Sequence, residues 1–306
     1  MKTRNLAIVI PLIIAAAAAT AQRTEQERSP IIDVHVHAYG KDERWTREVP
    51  NPRTGRPMTA TTEQAHMEAT LAEMKEYNIV KAVVSNDYQV VMRWRAAAPG
   101  QILASYGFDD PSTLDLAFLR GEHAAGRLVA LGEIGVQYQG IAPDDPRMER
   151  IWALAEELAI PVGLHTGLAP RNTPYQCCPK FRTTLGNPAL LEEVLIRHPK
   201  LRVYLMHAGY PYIQETIAIM HIYPQVYADL GVIDWNRSRE EFHDYLRVLI
   251  NAGLGKQIMF GSDQMVWPDA IGLAVEGIES ASFLTAEQKR DIFYNNAVRF
   301  FRLNNN

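Results

Sequence analysis

A single-domain α/β protein built as a closed (β/α)8 (TIM) barrel is the fold class the sequence predicts. Three observations predict it. Eight short apolar runs alternate with longer amphipathic stretches from Pro30 onward. Several of those runs lack polar alternation, as parallel strands buried on both faces do. The length, 306 residues, suits one large barrel. Eight βα units in series point to a barrel rather than an open sheet.

The apolar runs are Ile31–Val36, Ile79–Ser85, Ile102–Gly107, Leu128–Gly132, Pro161–Leu164, Leu201–Met206, Gln225–Ala228 and Gln257–Phe260. Between them, Thr61 and Gln64 are spaced as a capping box. Met67, Leu71 and Met74 then recur at helical spacing. Ile151, Leu154, Ala155 and Leu158 predict a helix before the fifth strand. Asn187-Pro188 opens another, carrying Leu190, Leu191, Val194 and Leu195. Glu240–Leu249 and Thr285–Phe301 are expected to be two more. Tyr39–Ala60, rich in Pro, Arg and Thr, is the longest non-periodic stretch and is expected to be a loop over the barrel mouth.

Residues 1–21 read as a secretory signal peptide. Lys2 and Arg4 precede an apolar run from Leu6 to Ala19, and Ala19-Thr20-Ala21 is a small-residue cleavage site. The run is shorter than the ~20 residues a span needs, so no stable membrane span is expected after cleavage. Residues 22–30 would then be a polar linker and 31–306 the barrel. Export implies a secreted or periplasmic, oxidising location. The two cysteines, Cys177 and Cys178, are adjacent and form either a vicinal disulfide or two free thiols.

The composition, 47% apolar and 22% charged, is that of a globular protein and excludes a disordered chain. The balance of 31 basic against 35 acidic residues leaves no excess of cations for phosphates, so no nucleic-acid partner is expected. A small-molecule substrate is expected, and nothing in the composition opposes a homo-oligomer.

Active sites of such barrels lie at the C-terminal ends of the strands. The polar residues ending the runs are His35 and His37, Asn86, Asp109, Glu133, His165, His207, Asp229 and Asp263. Four of the nine histidines stand there. His66, His123, His198, His221 and His243 fall in helical or loop stretches. Residues i and i+2 of a strand share a face, so His35 and His37 can bind one ion. His165 and Asp263 join them, Asp263 from a strand that neighbours the first on closure. Three histidines and a carboxylate suit Zn²⁺ and leave a position for water. A bound ion lowers that water's pKa to roughly 7, and Asp263 is placed to accept its proton. Glu133 is either a further ligand, bridging two ions, or a group that orients a histidine or water. Asp229 and Asp109 read as hydrogen-bond partners or caps rather than ligands.

The loop from Ala169 to Gly186 carries Arg171, Lys180 and Arg182. These either hold a substrate carboxylate or phosphate or form a solvated basic loop. Arg44 and Arg47 are similarly placed after the first strand. Tyr138, with Trp45 and Trp267, is expected either to wall the substrate or simply to pack.

At IIDVHVHAYG (31–40), PVGLHTG (161–167), LRVYLMHAGYP (201–211), IMFGSDQMVWP (258–268) and EQKRDIFYNNAVRFFRL (287–303) the chain resembles the amidohydrolase superfamily. The resemblance is to the amidohydrolase-related branch that includes aminocarboxymuconate-semialdehyde decarboxylase. It implies a (β/α)8 barrel with metal bound by His35, His37, His165 and Asp263. It implies for His207 a polarising or acid–base role with one metal, or a ligand role with two. LGEIGVQY (131–138) is instead similar to the strand-four motif of TatD-type metal-dependent hydrolases, whose glutamate binds metal. No lysine ends an apolar run, so a carboxylated-lysine site is not expected. The expected activity is exported, metal-dependent hydrolysis of an amide, ester or lactone, with Asp263 and His207 catalytic and one or two ions, Zn²⁺ first. The alternatives are a metal-dependent decarboxylase of a small carboxylic acid and a barrel that binds metal without catalysis.

Overall fold

The computed structural model describes residues 28–303. The expected signal peptide, and the linker as far as residue 27, lie outside the described residues. Eight parallel strands run in chain order: β1 Ile31–Ala38, β2 Ile79–Asn86, β3 Ile102–Phe108, β4 Ala130–Ile134, β5 Val162–His165, β6 Val203–Met206, β7 Val226–Asp229 and β8 Ile258–Met259. Two backbone bonds draw the last strand's chain onto the first. Val34 N–H donates to Phe260 O at 2.9 Å, and Asp263 N–H to His35 O at 2.8 Å. No helix among the described residues is long and apolar enough to cross a membrane.

Strands β1, β5 and β6 are buried along their whole length, and β5 and β6 accordingly show no polar alternation, whereas β1 alternates Asp33, His35 and His37 with valines. Tyr204 fills the barrel interior and donates its hydroxyl to Val34 O at 3.2 Å. A Cβ at Gly163 would overlap the Tyr204 ring, so the neighbouring strand needs glycine there. The outer helices bury one stripe each. In Arg239–Asn251, Phe242, Leu246 and Leu249 face inward behind the Ser238 cap. In Glu149–Glu157, Ile151, Trp152, Leu154 and Ala155 do the same. Trp152 is fully buried and donates Nε1–H to Pro143 O at 2.9 Å. Trp152→Ala is expected to cost about 3–5 kcal/mol by urea denaturation, from lost burial and a residual cavity.

Four local expectations need correction. Thr62, not Thr61, caps Glu63–Glu76, because the Thr62 hydroxyl reaches Ala65 N–H at 3.2 Å. Asn187 opens a 3-10 turn, Pro188–Leu191, before the α-helix Glu192–Arg197 begins. The stretch Tyr39–Ala60 is not all loop, since Glu43–Thr46 is helical behind an Asp42 cap. The helix expected over Thr285–Phe301 begins with a Thr285–Gln288 capping box but contains a π turn at Asp291–Asn295. There the C-terminal segment covers β8: Ile292 O accepts from Phe260 N–H at 2.8 Å, and Asn296 Nδ2 donates to Ile258 O at 2.6 Å.

Candidate metal centre

The strand ends gather His35, His37, Glu133, His165, His207 and Asp263 into one cluster. His35 and His37 share the inward face of β1, as the two-residue strand repeat requires. Their backbone is clamped on both sides. Asp33 Oδ1 accepts from His35 N–H and Ser262 N–H, both at 3.0 Å. Gln264 accepts from His37 N–H at 2.9 Å and donates to His37 O at 2.8 Å. Burial pushes the Asp33 carboxyl up to about 7, against the hydrogen bonds from Ser262 and His35.

Each imidazole except that of His37 has its outer nitrogen held. His35 Nδ1 lies 3.1 Å from Asp229 Oδ2, and Asp229 Oδ1 accepts from His207 N–H at 3.1 Å and Gly231 N–H at 2.8 Å. His207 Nδ1–H donates to Gly231 O at 3.0 Å. His165 Nδ1–H donates to Gln137 Oε1 at 3.1 Å, and Tyr138 OH donates to His165 Nε2 at 3.2 Å. Such outer partners fix tautomer and orientation, leaving Nε2 lone pairs inward. A Cβ at Gly261 would stand 2.8 Å from His35 Cβ, so the chain just after β8 comes this close to β1 only through a glycine.

Glu133 sits among all four imidazoles. Its Oε2 is 3.7 Å from His35 Nε2 and 3.3 Å from His37 Nε2, and its Oε1 is 3.5 Å from His207 Nε2 and 3.9 Å from His165 Nε2. Asp263 Oδ1 lies 3.0 Å from His37 Nε2 and 3.8 Å from His35 Nε2. Donors about 2.0–2.1 Å from a common ion stand roughly 3.0–3.4 Å apart, so much of this spacing is close to that of a ligand shell. His35 Nε2 and Asp263 Oδ1 are buried without a hydrogen-bond partner. Three overlapping triplets can each hold an ion: His35, His207 and Asp263; His35, His37 and Glu133; and Glu133, His165 and His207. The donor set therefore fits one divalent ion or two. His207 (φ +63°) and Asp263 (φ +44°) also have left-handed backbones, a strain that collects at functional sites.

Electrostatics match. Burial opposes the charge of Glu133, but His207, His35 and His37 outweigh it and hold its carboxyl well below the usual range. Asp263 is likewise held low, burial being outweighed by His35 and His37. Burial also opposes protonation of His207, but Glu133 and Asp263 leave that imidazole raised. At His165 burial wins and pushes the imidazole down to about 4, so it stays neutral.

Tyr138 is thus at the cluster. Lys180 and Arg182 are exposed. Arg182 Nη1 is spent on Pro179 O and Phe181 O, at 3.0 and 2.7 Å. No hydrogen bond or ion pair among the described residues joins either cation to the cluster. Arg44 pairs with Asp42 at 2.7 Å and lies over the Tyr39 and Trp267 rings. Cys177 and Cys178 are joined as a vicinal disulfide.

The model of the Amidohydrolase family matches residues 32–303. The chain belongs to the amidohydrolase family. Membership makes it a metal-dependent enzyme, and the cluster is where the divalent ion fits. The chain is 26% identical over 160 residues to Protein fluG of Emericella nidulans, covering 47% of this chain and 18% of fluG. Among solved structures it is similar to a probable 2-pyrone-4,6-dicarboxylic acid hydrolase from Acinetobacter baumannii (14% identity, TM-score 0.62, 90% and 100% of the two chains). It is also similar to a 2,6-dihydroxybenzoate decarboxylase from Rhizobium (14%, TM-score 0.60, 90% and 99%). At that identity the likeness shows the barrel alone.

Beside the cluster, Asp234 is 1% exposed and neither carboxylate oxygen has a partner among the described residues. Burial, then the charges of Asp33 and Asp229, raise its pKa well above the usual value. The folded state therefore holds a proton that the unfolded chain releases above about pH 4, and stability falls as pH rises from there. Asp234→Asn is expected to raise Tm at pH 7, with the gain closing toward pH 4. A gain independent of pH would contradict this.

Proposed function

We propose that this amidohydrolase is a metal-dependent hydrolase adding water to an amide, ester or lactone carbonyl of a small molecule. The convergence of four imidazoles on Glu133 and Asp263, with lone pairs left inward, carries this reading. His35, His37, His165 and Asp263 would hold one ion, and Glu133 and His207 would complete it or hold a second. Zn²⁺ is the ion we propose, since imidazole and carboxylate donors suit it. Such an ion acts as a Lewis acid on a carbonyl oxygen and acidifies water.

The chain's own groups do the rest. Asp263, held ionised by the neighbouring histidines, accepts the proton of the attacking water and returns it to the leaving nitrogen or oxygen. Tyr138 OH, 3.2 Å from His165 Nε2, would be freed as a donor for the substrate's oxygen once an ion took that lone pair. His207, tied through Nδ1–H to Gly231 O, keeps Nε2 directed at the reacting centre. The pocket beside Glu133 has no lysine or arginine in its lining.

The test is chelation followed by reconstitution with Zn²⁺ or Mn²⁺, against amides, esters, lactones and aromatic or muconate-like acids. Metal-restored hydrolysis is expected. Metal-dependent CO₂ release without hydrolysis would move the assignment to the decarboxylase that the Rhizobium neighbour's name describes. We also propose that residues 1–21 direct export. Intact-mass analysis of the secreted protein should find Gln22 first, and a start beyond Ser29 would overturn this.

A further inference from the structure

We propose that Asp109 and Asn86 recognise a hydrogen-bond donor, a hydroxyl or an ammonium, on the non-reacting end of a short substrate. This rests on the hydrolase reading above and specifies which molecules that site accepts.

A cavity of about 100 Å³ borders the metal centre, lined by His37 and Glu133 and by Ser85, Asn86, Asp109 and Tyr138. Drug-sized ligand sites run from roughly 300 Å³ upward, and one water takes about 30 Å³ of liquid. The cavity is therefore small for a ligand site. Asp109 and Asn86 are both exposed and stand at its mouth. A Cβ at Gly135 would overlap Asp109 Oδ1, so the carboxylate occupies space that only glycine leaves open. Asp109 makes no hydrogen bond among the described residues and so has its acceptor oxygens available. Asn86 holds a positive φ of +103°, unusual for a side-chain-bearing residue, at the end of β2. A Cβ at Gly107 would stand 3.1 Å from Glu133 O and 3.3 Å from Asn86 N, so glycine also lets β2 and β4 converge at this wall.

The wall thus offers a free carboxylate and an amide, beside Glu133, with no lysine or arginine among the lining residues. A donor group gains a hydrogen bond to a carboxylate open to water on its outer side, at the low end of the range for charged partners, about 1.5 kcal/mol, or roughly tenfold in affinity. A second carboxylate meets Asp109 and is rejected by like charge.

Four hydroxamates separate the cases, because each can chelate the ion and differs only at its far end. These are glycine hydroxamate (ammonium), glycolohydroxamate (hydroxyl), propionohydroxamate (methyl) and malonic monohydroxamate (carboxylate). Calorimetric titration of the Zn²⁺-loaded protein should show the ammonium and hydroxyl compounds binding about tenfold tighter than the methyl one. The carboxylate compound should be weakest. Asp109→Asn should shrink the donor preference to within about threefold and relieve the penalty on the carboxylate. Equal binding of all four, tightest binding of the malonic compound, or a preference untouched in Asp109→Asn would overturn the proposal and leave the metal centre standing. Failure of the protein to take up Zn²⁺ would overturn the metal centre, and this inference with it; binding of none by the loaded protein would overturn this inference alone.

Discussion

Glu133→Gln will lower the metal content of the site and lower kcat/KM by at least about 100-fold. Losing a group that merely orients a ligand costs 10–100-fold in affinity or activity, and Glu133 stands closer than that. Each of its oxygens faces two Nε2 atoms, between 3.3 and 3.9 Å away. Glutamine has nearly the same shape but offers one weak acceptor oxygen and an amide that points protons at two imidazoles. Those imidazoles must present lone pairs to an ion. Elemental analysis decides what kind of ligand Glu133 is. A fall from two ions to one or none identifies a bridge, and a fall from one to none identifies a member of a single shell. Full metal content with wild-type turnover would remove Glu133 from the shell and leave His35, His37, His165 and Asp263 as the whole of it.

The strands were legible because a strand covered on both faces has little use for polar residues, and the runs before His165 and His207 show this plainly. Glu133 was harder to place. The apolar run suggested a strand ending at Gly132, whereas β4 spans Ala130–Ile134 and carries Glu133 within it. What holds the ligands was mostly illegible. Asp229 stood out at a strand end, but Gln264 meets His37 across 227 residues and Gln137 meets His165 across 28. Neutral amides in turns carry no periodic signal. The same limit applies to Lys180 and Arg182. Sequence places them on the loop after β5, but only packing decides that Arg182 turns back on its own backbone. Asp234 gave no sign of being a buried acid, because the four-residue helix after β7, Ile233–Asn236, is too short for a pattern.

Asp263→Asn should keep the metal and lose the chemistry. The left-handed φ of +44° at this position is one that asparagine tolerates better than most side chains. The backbone bond from residue 263 to His35 O does not depend on the side chain. Asn Oδ1 can still approach the ion, so metal content should stay near that of the wild type. What disappears is the carboxylate that takes a proton from water, and removal of a general base costs roughly 10²–10⁴-fold in kcat. The pH profile supplies a second readout. Asp263 is held below the usual carboxylate range, so the wild-type rate should persist into mild acid and fall only as pH drops through that lowered pKa. The variant's residual rate should lack this acid limb. Wild-type kcat in Asp263→Asn would show that another group moves the proton. His207 would be the first candidate, since its Nδ1 lies 3.8 Å from Asp263 Oδ2 and its Nε2 faces the same centre.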